Sequence, residues 1–278
     1  MGSGRLYVVA TPIGNLEDVT RRAERVLGEV DLIAAEDTRH SRVLLAHLGI
    51  DTPLTSYHDH NEAVKSESLL QELEGGRSVA LITDAGTPCI SDPGYRLVRA
   101  ARDRGIAVVA VPGPSALVAA LSVSGLPTDR FAFHGFFPRK KGQAQRLCET
   151  WRETRGTHLF FESANRLAAT LACIEHSLPE AEVAVARELT KKYEEVLRGA
   201  PRDLATQLSA VPVKGECVVM VHVSKAPRGV EVPQERLKAL VDEAAAREGL
   251  SRRDAIRKVA EELDLPRNRV YAAAMERS

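Results

Sequence analysis

Four short runs, "RLYVVA", "DLIAAE", "SVALIT" and "AVVAV", are apolar on both faces and rich in β-branched residues. Between and around them lie Arg21–Glu29, Arg39–Leu48, Glu62–Glu74 and Tyr95–Arg104, whose apolar residues recur at helical spacing. A strand that is apolar on both faces needs cover on both faces, and intervening helices supply it. The alternation therefore predicts an α/β layer with a mostly parallel sheet.

After "GLPTDR" the texture changes. "FAFHGFF", "THLFFES", "EVAVARELT", "YEEVLRG" and "GECVVMVHV" are five further strand candidates, with helices between only some of them. They predict a second α+β domain, more antiparallel than the first. A linker, "SKAPRGVEVPQ", leads to a segment in which Leu237, Leu240, Val241 and Ala244, then Ile256, Val259, Ala260 and Leu263, repeat helical spacing. Ser251 with Asp254 fits a capping box, and Pro266 is placed to open a third helix. The expected organisation is an α/β domain over 1–112, a second over 113–225 and a helix-turn-helix-like domain over 234–278. The first boundary falls between Val111 and Arg130.

Composition narrows the class. With 44% hydrophobic and 27% charged residues, the 278-residue chain reads as globular. Its 38 basic and 38 acidic residues cancel, so any nucleic-acid contact must use local patches. Cys89, Cys148, Cys173 and Cys217 are scattered without a CxxC pair, which fits a reducing cytoplasm and argues against structural zinc. His58 and His60 stand two apart without a further ligand set, and no metal is expected. The uncharged stretch Gly105–Thr128 approaches membrane-spanning length, but Pro112-Gly113-Pro114 interrupts it. Strand, turn and buried helix account for it better than a bilayer span.

Three strands of the first domain end in loops of small, rigid residues: "ATPIGN", "DAGTPCISDPG" and "VPGPSA". In an open α/β sheet, ligands bind beyond the carboxyl ends of the strands. Gly and Ala admit a ligand to the backbone, and Pro fixes the loop shape without a competing N–H. Gly and Pro also punctuate ordinary loops, so it is the threefold recurrence that points to a cleft. Asp84, closing a buried strand, is placed to accept from a ribose hydroxyl or an amine. The GxGxxG and GxxxxGK[ST] patterns are both absent, which excludes the usual dinucleotide and nucleoside-triphosphate pockets.

Taken in order, "VATPIGNLEDVTRRA", "AAEDTRHSRVLLAHLGI", "SYHDHNE", "ITDAGTPCISDPGYRLV", "VPGPSALVAALSVSGL", "FHGFFPRK", "FFESANR" and "ARELTKKYEE" resemble the bacterial 16S ribosomal RNA (cytidine-2′-O)-methyltransferase branch of the tetrapyrrole methylase superfamily. The resemblance implies two α/β domains with S-adenosylmethionine in the cleft between them, a homodimer, and a cytidine of the small-subunit decoding region as substrate. It implies backbone contacts to the cofactor from three loops. These give Thr11, Pro12 and Gly14; Asp84, Ala85, Gly86, Thr87, Pro88, Ile90 and Ser91; and Pro112, Gly113, Ser115 and Ala116. Where tetrapyrrole enzymes carry a GxGPGD-like first loop, this chain has "TPIGN", which fits the RNA branch.

A sulfonium-activated methyl needs no metal, but a ribose hydroxyl is a poor nucleophile until a base or strong hydrogen bond engages its proton. Asp37, Glu162, Glu188 and Lys191 are the candidates; for each, a structural ion pair is the competing role. Arg39, His40, Arg139, Lys140, Lys141, Arg166 and Arg187, with Arg252 and Arg253 in the tail, are candidates for RNA. Phe136, Phe137 or Tyr57 are candidates to stack on a base, against core packing. Two rivals remain at this level. A tetrapyrrole methyltransferase would act without RNA, and a ligand-sensing regulator would bind nucleic acid through its helical tail without turnover.

Overall fold

Side chains of the first four long runs divide between two apolar clusters, which places a sheet between two layers of helices. The computed structural model describes residues 4–209, 215–224, 232–263, 265 and 267–275. Strands β1 (Arg5–Val9), β2 (Leu32–Ala35), β3 (Leu54–Ser56), β4 (Val79–Ile82) and β5 (Ala107–Val111) form one sheet in the order β3-β2-β4-β1-β5. Every pairing in it is parallel. The three-residue β3 was not anticipated, being too short to show a period.

On one face Leu6, Ala34, Val79 and Leu81 pack with Leu69, Leu70 and Leu73 of α3 (Glu62–Glu74) and Leu97 and Ala101 of α4 (Tyr95–Asp103). On the other, Val9, Ile33, Ala35, Ala80 and Ile82 meet Ala23, Val26 and Leu27 of α1 (Arg21–Glu29) and Leu45 of α2 (Thr38–Leu48). Local signals set these helices. Thr20 accepts from the Ala23 N–H at 3.1 Å to start α1, and Gly49 in the left-handed region ends α2.

The second sheet, in the order β6-β7-β10-β8-β9, is mixed. It contains β6 (Phe131–Phe136), β7 (Gly156–Ser163), β8 (Glu182–Arg187), β9 (Glu195–Gly199) and β10 (Glu216–Val223). β6 and β7 run parallel; β8 pairs antiparallel with β9 and β10. One face packs on α5 (Ala116–Val123), where Ala120 and Leu121 meet Leu159, Ala184, Ala186, Val218 and Met220. Three more helices, α6 (Lys141–Thr154), α7 (Leu167–Ser177) and α8 (Pro201–Ser209), complete this half, with α7 packed between α6 and α8. Trp151 of α6, fully buried, stacks on His158 and Phe160 of β7. The uncharged stretch after Gly105 is β5, a loop and α5, and among the described residues no helix is long and apolar enough to cross a membrane.

The chain divides into two compact units, Met1–His222 and Val223–Ser278. The second contains α9 (Gln234–Glu248), α10 (Arg252–Glu262) and α11 (Arg267–Met275) around Val241, Ile256, Val259 and Val270. Ser251 accepts from the Asp254 N–H at 3.2 Å, while the Asp254 carboxylate takes the Ser251 hydroxyl rather than a backbone N–H. Pro266, the expected start of α11, lies outside the described residues, as does most of the linker.

His158 is 2% exposed, and burial holds its imidazole down to about 4, with His134 and His222 nearby adding to the effect. The unfolded chain, with its histidine near 6.5, then binds the extra proton between those values, so this residue's contribution is complete above pH 6.5 and is lost toward pH 4. His158→Phe keeps a ring against Trp151 and removes the titration. The melting temperature of the variant relative to wild type should rise as pH falls through that window; a constant difference across pH excludes His158 as the cause.

Candidate functional site

The three loops of small residues leave β4, β1 and β5, which are neighbours in the first sheet, and they are tied to one another. Thr11 and Gly86 exchange backbone hydrogen bonds of 2.9 and 3.1 Å, and the Thr11 hydroxyl donates to the Thr83 carbonyl at 3.0 Å. The Thr87 hydroxyl donates to the Pro114 carbonyl at 3.1 Å, joining the second loop to the third. Thr11 and Gly86 are buried and serve this bracing, and Pro88 is buried beside them in the loop. The 84–94 loop turns back sharply: Cys89 and Ser91 take positive φ, and Gly94 does so where a Cβ would lie 2.7 Å from Leu81 and 2.8 Å from the Cys89 sulfur. That conformation returns Asp92 to the strand ends.

A cavity of about 420 Å³ opens between these loops and the second sheet. Ile13, Asp84, Ala85, Ser91 and Ala116 wall it on one side; Phe136, Phe161, Glu162, Ala186 and Val218 wall it on the other. The remaining cofactor candidates divide. Gly113 and Ser115 line a shallower cavity of about 280 Å³ beside Thr20 and Thr190. Pro12, Thr87, Ile90 and Pro112 belong to the same loops but line neither. Gly14 seals the junction between the halves, since a Cβ there would stand 2.6 Å from the Lys191 Cγ and 2.9 Å from the Leu189 carbonyl.

Two carboxylates in the cavity were not singled out from sequence. Glu36 follows β2 as Asp84 follows β4, and its carboxylate accepts weakly from the Asp84 N–H at 3.4 Å. In return the Asp84 carboxylate accepts from the Asp37 N–H at 3.1 Å. Burial raises Glu36; the Asp84 N–H opposes the shift and the Asp84 charge adds to it. Asp92 is pushed up to about 7, first by burial and then by the nearby Glu36 charge. The strand-end rule reaches Glu36; no sequence pattern reveals Asp92, which arrives through the positive-φ turns.

The catalytic candidates separate by environment. Asp37 caps α2, accepting from the Arg39 N–H at 2.8 Å and pairing with the Arg39 guanidinium at 2.9 Å. That side chain holds it at about 2, too acidic to take a proton near neutrality, and it does not line the cavity. Glu162 does, 3% exposed, but its oxygens accept from the Ser163 N–H at 2.8 Å and the Thr170 hydroxyl at 2.7 Å, with Arg166 3.4 Å away. Lys191 lines the cavity beside Glu188 and Glu216, at 3.1 and 3.7 Å. Its loop is strained, with Glu188 and Thr190 at positive φ. The Lys191 hydrogen bond lowers Glu188.

The cationic candidates scatter. Arg39 is committed to Asp37 and His40 lies exposed on α2. Arg187 pairs with Glu195 at 2.9 Å. Arg252 ties its unit together, donating to the Ala274 carbonyl and pairing with Asp242, while Arg253 is exposed. Lys140 precedes α6 as its N-cap, without a side-chain capping bond. Arg139, Lys141 and Arg166 line a second cavity. Among the aromatics, Phe136 is 67% exposed and lines the first cavity, whereas Tyr57 and Phe137 are core residues.

A family model for tetrapyrrole (corrin/porphyrin) methylases matches residues 5–205. A ribosomal RNA small subunit methyltransferase I from Halalkalibacterium halodurans is 45% identical over 96% of this chain and 93% of its own length. The protein of that name from Escherichia coli O157:H7 is 46% identical over 98% and 95%. Among solved structures, diphthine synthase superposes with TM-score 0.64 at 14% identity, covering 80% of this chain and 90% of its own. A uroporphyrin-III C-methyltransferase from Thermus thermophilus complexed with S-adenyl homocysteine superposes with TM-score 0.54 at 20% identity, covering 79% and 97%. These structures share the fold.

Wild type must ionise Asp92 in a buried, acidic setting as pH passes about 7, whereas the unfolded chain has already lost that proton near 3.8. Asp92→Asn removes the cost. The variant should melt higher than wild type above pH 7, with the difference fading toward pH 4; a difference that grows on acidification rules this out.

Proposed function

As a member of the tetrapyrrole (corrin/porphyrin) methylase family, grouped within it with the ribosomal RNA small subunit methyltransferase I proteins, the chain is, we propose, an S-adenosylmethionine-dependent methyltransferase of 16S ribosomal RNA. The acceptor is the ribose 2′-oxygen of a cytidine in the decoding region. The observation that carries this reading is the 420 Å³ cavity, which combines a backbone-walled, acidic side with an aromatic side on which Lys191 stands among Glu162, Glu188 and Glu216. The volume falls within the roughly 300–1,000 Å³ of small-molecule sites. Its residues fit the cofactor: Asp84, Glu36 and Asp92 suit ribose hydroxyls and a positive sulfonium centre, and Ala85, Ser91 and Ala116 leave the main chain accessible.

When bound, S-adenosylmethionine supplies a methyl group activated by the positive charge on sulfur. The chain's own residues then have three tasks. Phe136 and Phe161 close the cavity against water and offer ring faces to the incoming nucleotide. Lys191 engages the acceptor hydroxyl and steadies the negative charge that develops on it, while Glu188 holds its ammonium in place and the exposed Glu216 carboxylate passes the proton to solvent. Glu162, with its oxygens already engaged, holds the floor of the site rather than acting as the base. On this reading the chain works as a cytoplasmic homodimer and uses three parts, 1–112, 113–225 and 234–278.

Purified protein, methyl-labelled S-adenosylmethionine and small subunits lacking the modification should yield label on a cytidine ribose after nuclease digestion. Label on a base, or none on RNA, overturns the assignment. Methylation of a tetrapyrrole in place of RNA would return the same-fold rival.

Lys191→Met keeps the length of the side chain and removes its charge. It should lower kcat about a hundredfold or more, with S-adenosylmethionine affinity changed less than about threefold. An unchanged kcat removes Lys191 from the chemistry.

A further inference from the structure

A second cavity, of about 550 Å³, lies between α6 and α7 and belongs to no part of the cofactor site. Its floor is apolar, with Pro138, Ala144, Ala169 and Ala172, and Arg139, Lys141 and Arg166 stand around it. Arg139 and Lys141 are exposed and have no carboxylate partner among the described residues. Most other arginines of this half, including Arg152, Arg187, Arg198 and Arg202, do pair with carboxylates. Unpaired cations gathered at the mouth of an apolar slot complement a ligand with a flat apolar body and an anionic group.

The slot is also wired to the reaction cavity. Arg166 and Thr170 line it, and both hold Glu162, which walls the 420 Å³ cavity: Thr170 donates at 2.7 Å and Arg166 lies at 3.4 Å. The other Arg166 amine points to the Pro138 carbonyl at 3.3 Å, at the edge of the slot. A residue bound there would therefore sit one side chain away from the reacting one.

We propose that this slot takes a second nucleotide of the RNA substrate, its base against the alanines and its phosphate on Arg139 and Lys141. The assignment rests on the ribosomal RNA reading above and adds a specificity site to it. A free nucleotide or inorganic phosphate carries part of the same chemistry, and RNA is favoured because the slot offers both a base-sized apolar floor and a polyanion's counter-charges.

Two variants and two measurements test it. Binding of unmodified small subunits, measured by filter retention without cofactor, reads the slot; label transfer by wild type reads the function. Arg139→Ala with Lys141→Ala should weaken subunit binding about tenfold and reduce the slope of log affinity against log salt by about one. Ala169→Leu with Ala172→Leu fills the slot at exposed helical positions that leucine suits, and should weaken binding by a similar factor with the slope unchanged. Arg99→Ala with Arg102→Ala on α4 is the control. Unchanged affinity in either slot variant overturns the proposal, and so does competition by inorganic phosphate or cytidine monophosphate as effective, mole for mole, as that by RNA. Slot-dependent binding without any label transfer leaves the slot in place and overturns the function alone.

Discussion

The backbone exchange between Thr11 and Gly86 is the constraint on which the site depends. Parallel strands end with free carbonyls and loops that would otherwise move independently. Here two of the three loops share a two-residue bridge, and the Thr87 hydroxyl fastens the third through Pro114. The bracing consumes Thr11 and Gly86 and frees their neighbours, Ile13, Asp84, Ala85 and Ala116, to face the cavity. A rigid main-chain wall suits a ligand bound by backbone groups, because the donors and acceptors are ordered before it arrives.

Carboxylates reach the cavity from both sheets. The first sheet contributes Glu36, Asp84 and Asp92 from strand ends, close enough that burial and mutual repulsion keep Asp92 near 7. The second sheet contributes Lys191 with Glu188 and Glu216, on a loop whose positive-φ residues hold it against Gly14. Both walls carry carboxylates, and among the described residues Lys191 is the cation lining the cavity, so its position marks where negative charge is steadied. Because Arg166 and Thr170 both clamp Glu162, the wall of the reaction cavity is at the same time the wall of the basic slot.

Some residues chosen for their chemistry turn out to serve architecture. Asp37 looked like a base from its place in "AEDTRH", but it is the N-cap of α2 and the partner of Arg39. Tyr57 and Phe137 looked able to stack on a base, and both are buried in cores. Arg252 looked like an RNA contact and closes its own helical unit through the Ala274 carbonyl. In each case a local pattern fits both roles, and only the position of the neighbours separates them.

Alternating two-faced strands and helices determined the parallel layer, and the five later strand runs determined a second sheet, because periodicity encodes which faces need cover. The ordered motifs determined the family, and the small-residue loops marked where a ligand approaches the main chain. Tertiary structure alone decided which of those residues brace and which face the cavity, that Asp92 joins Glu36 and Asp84, and that Arg139, Lys141 and Arg166 surround one slot. Those outcomes depend on contacts between segments dozens of residues apart, and burial and proximity, which set both pKa and pairing, have no signature in local spacing.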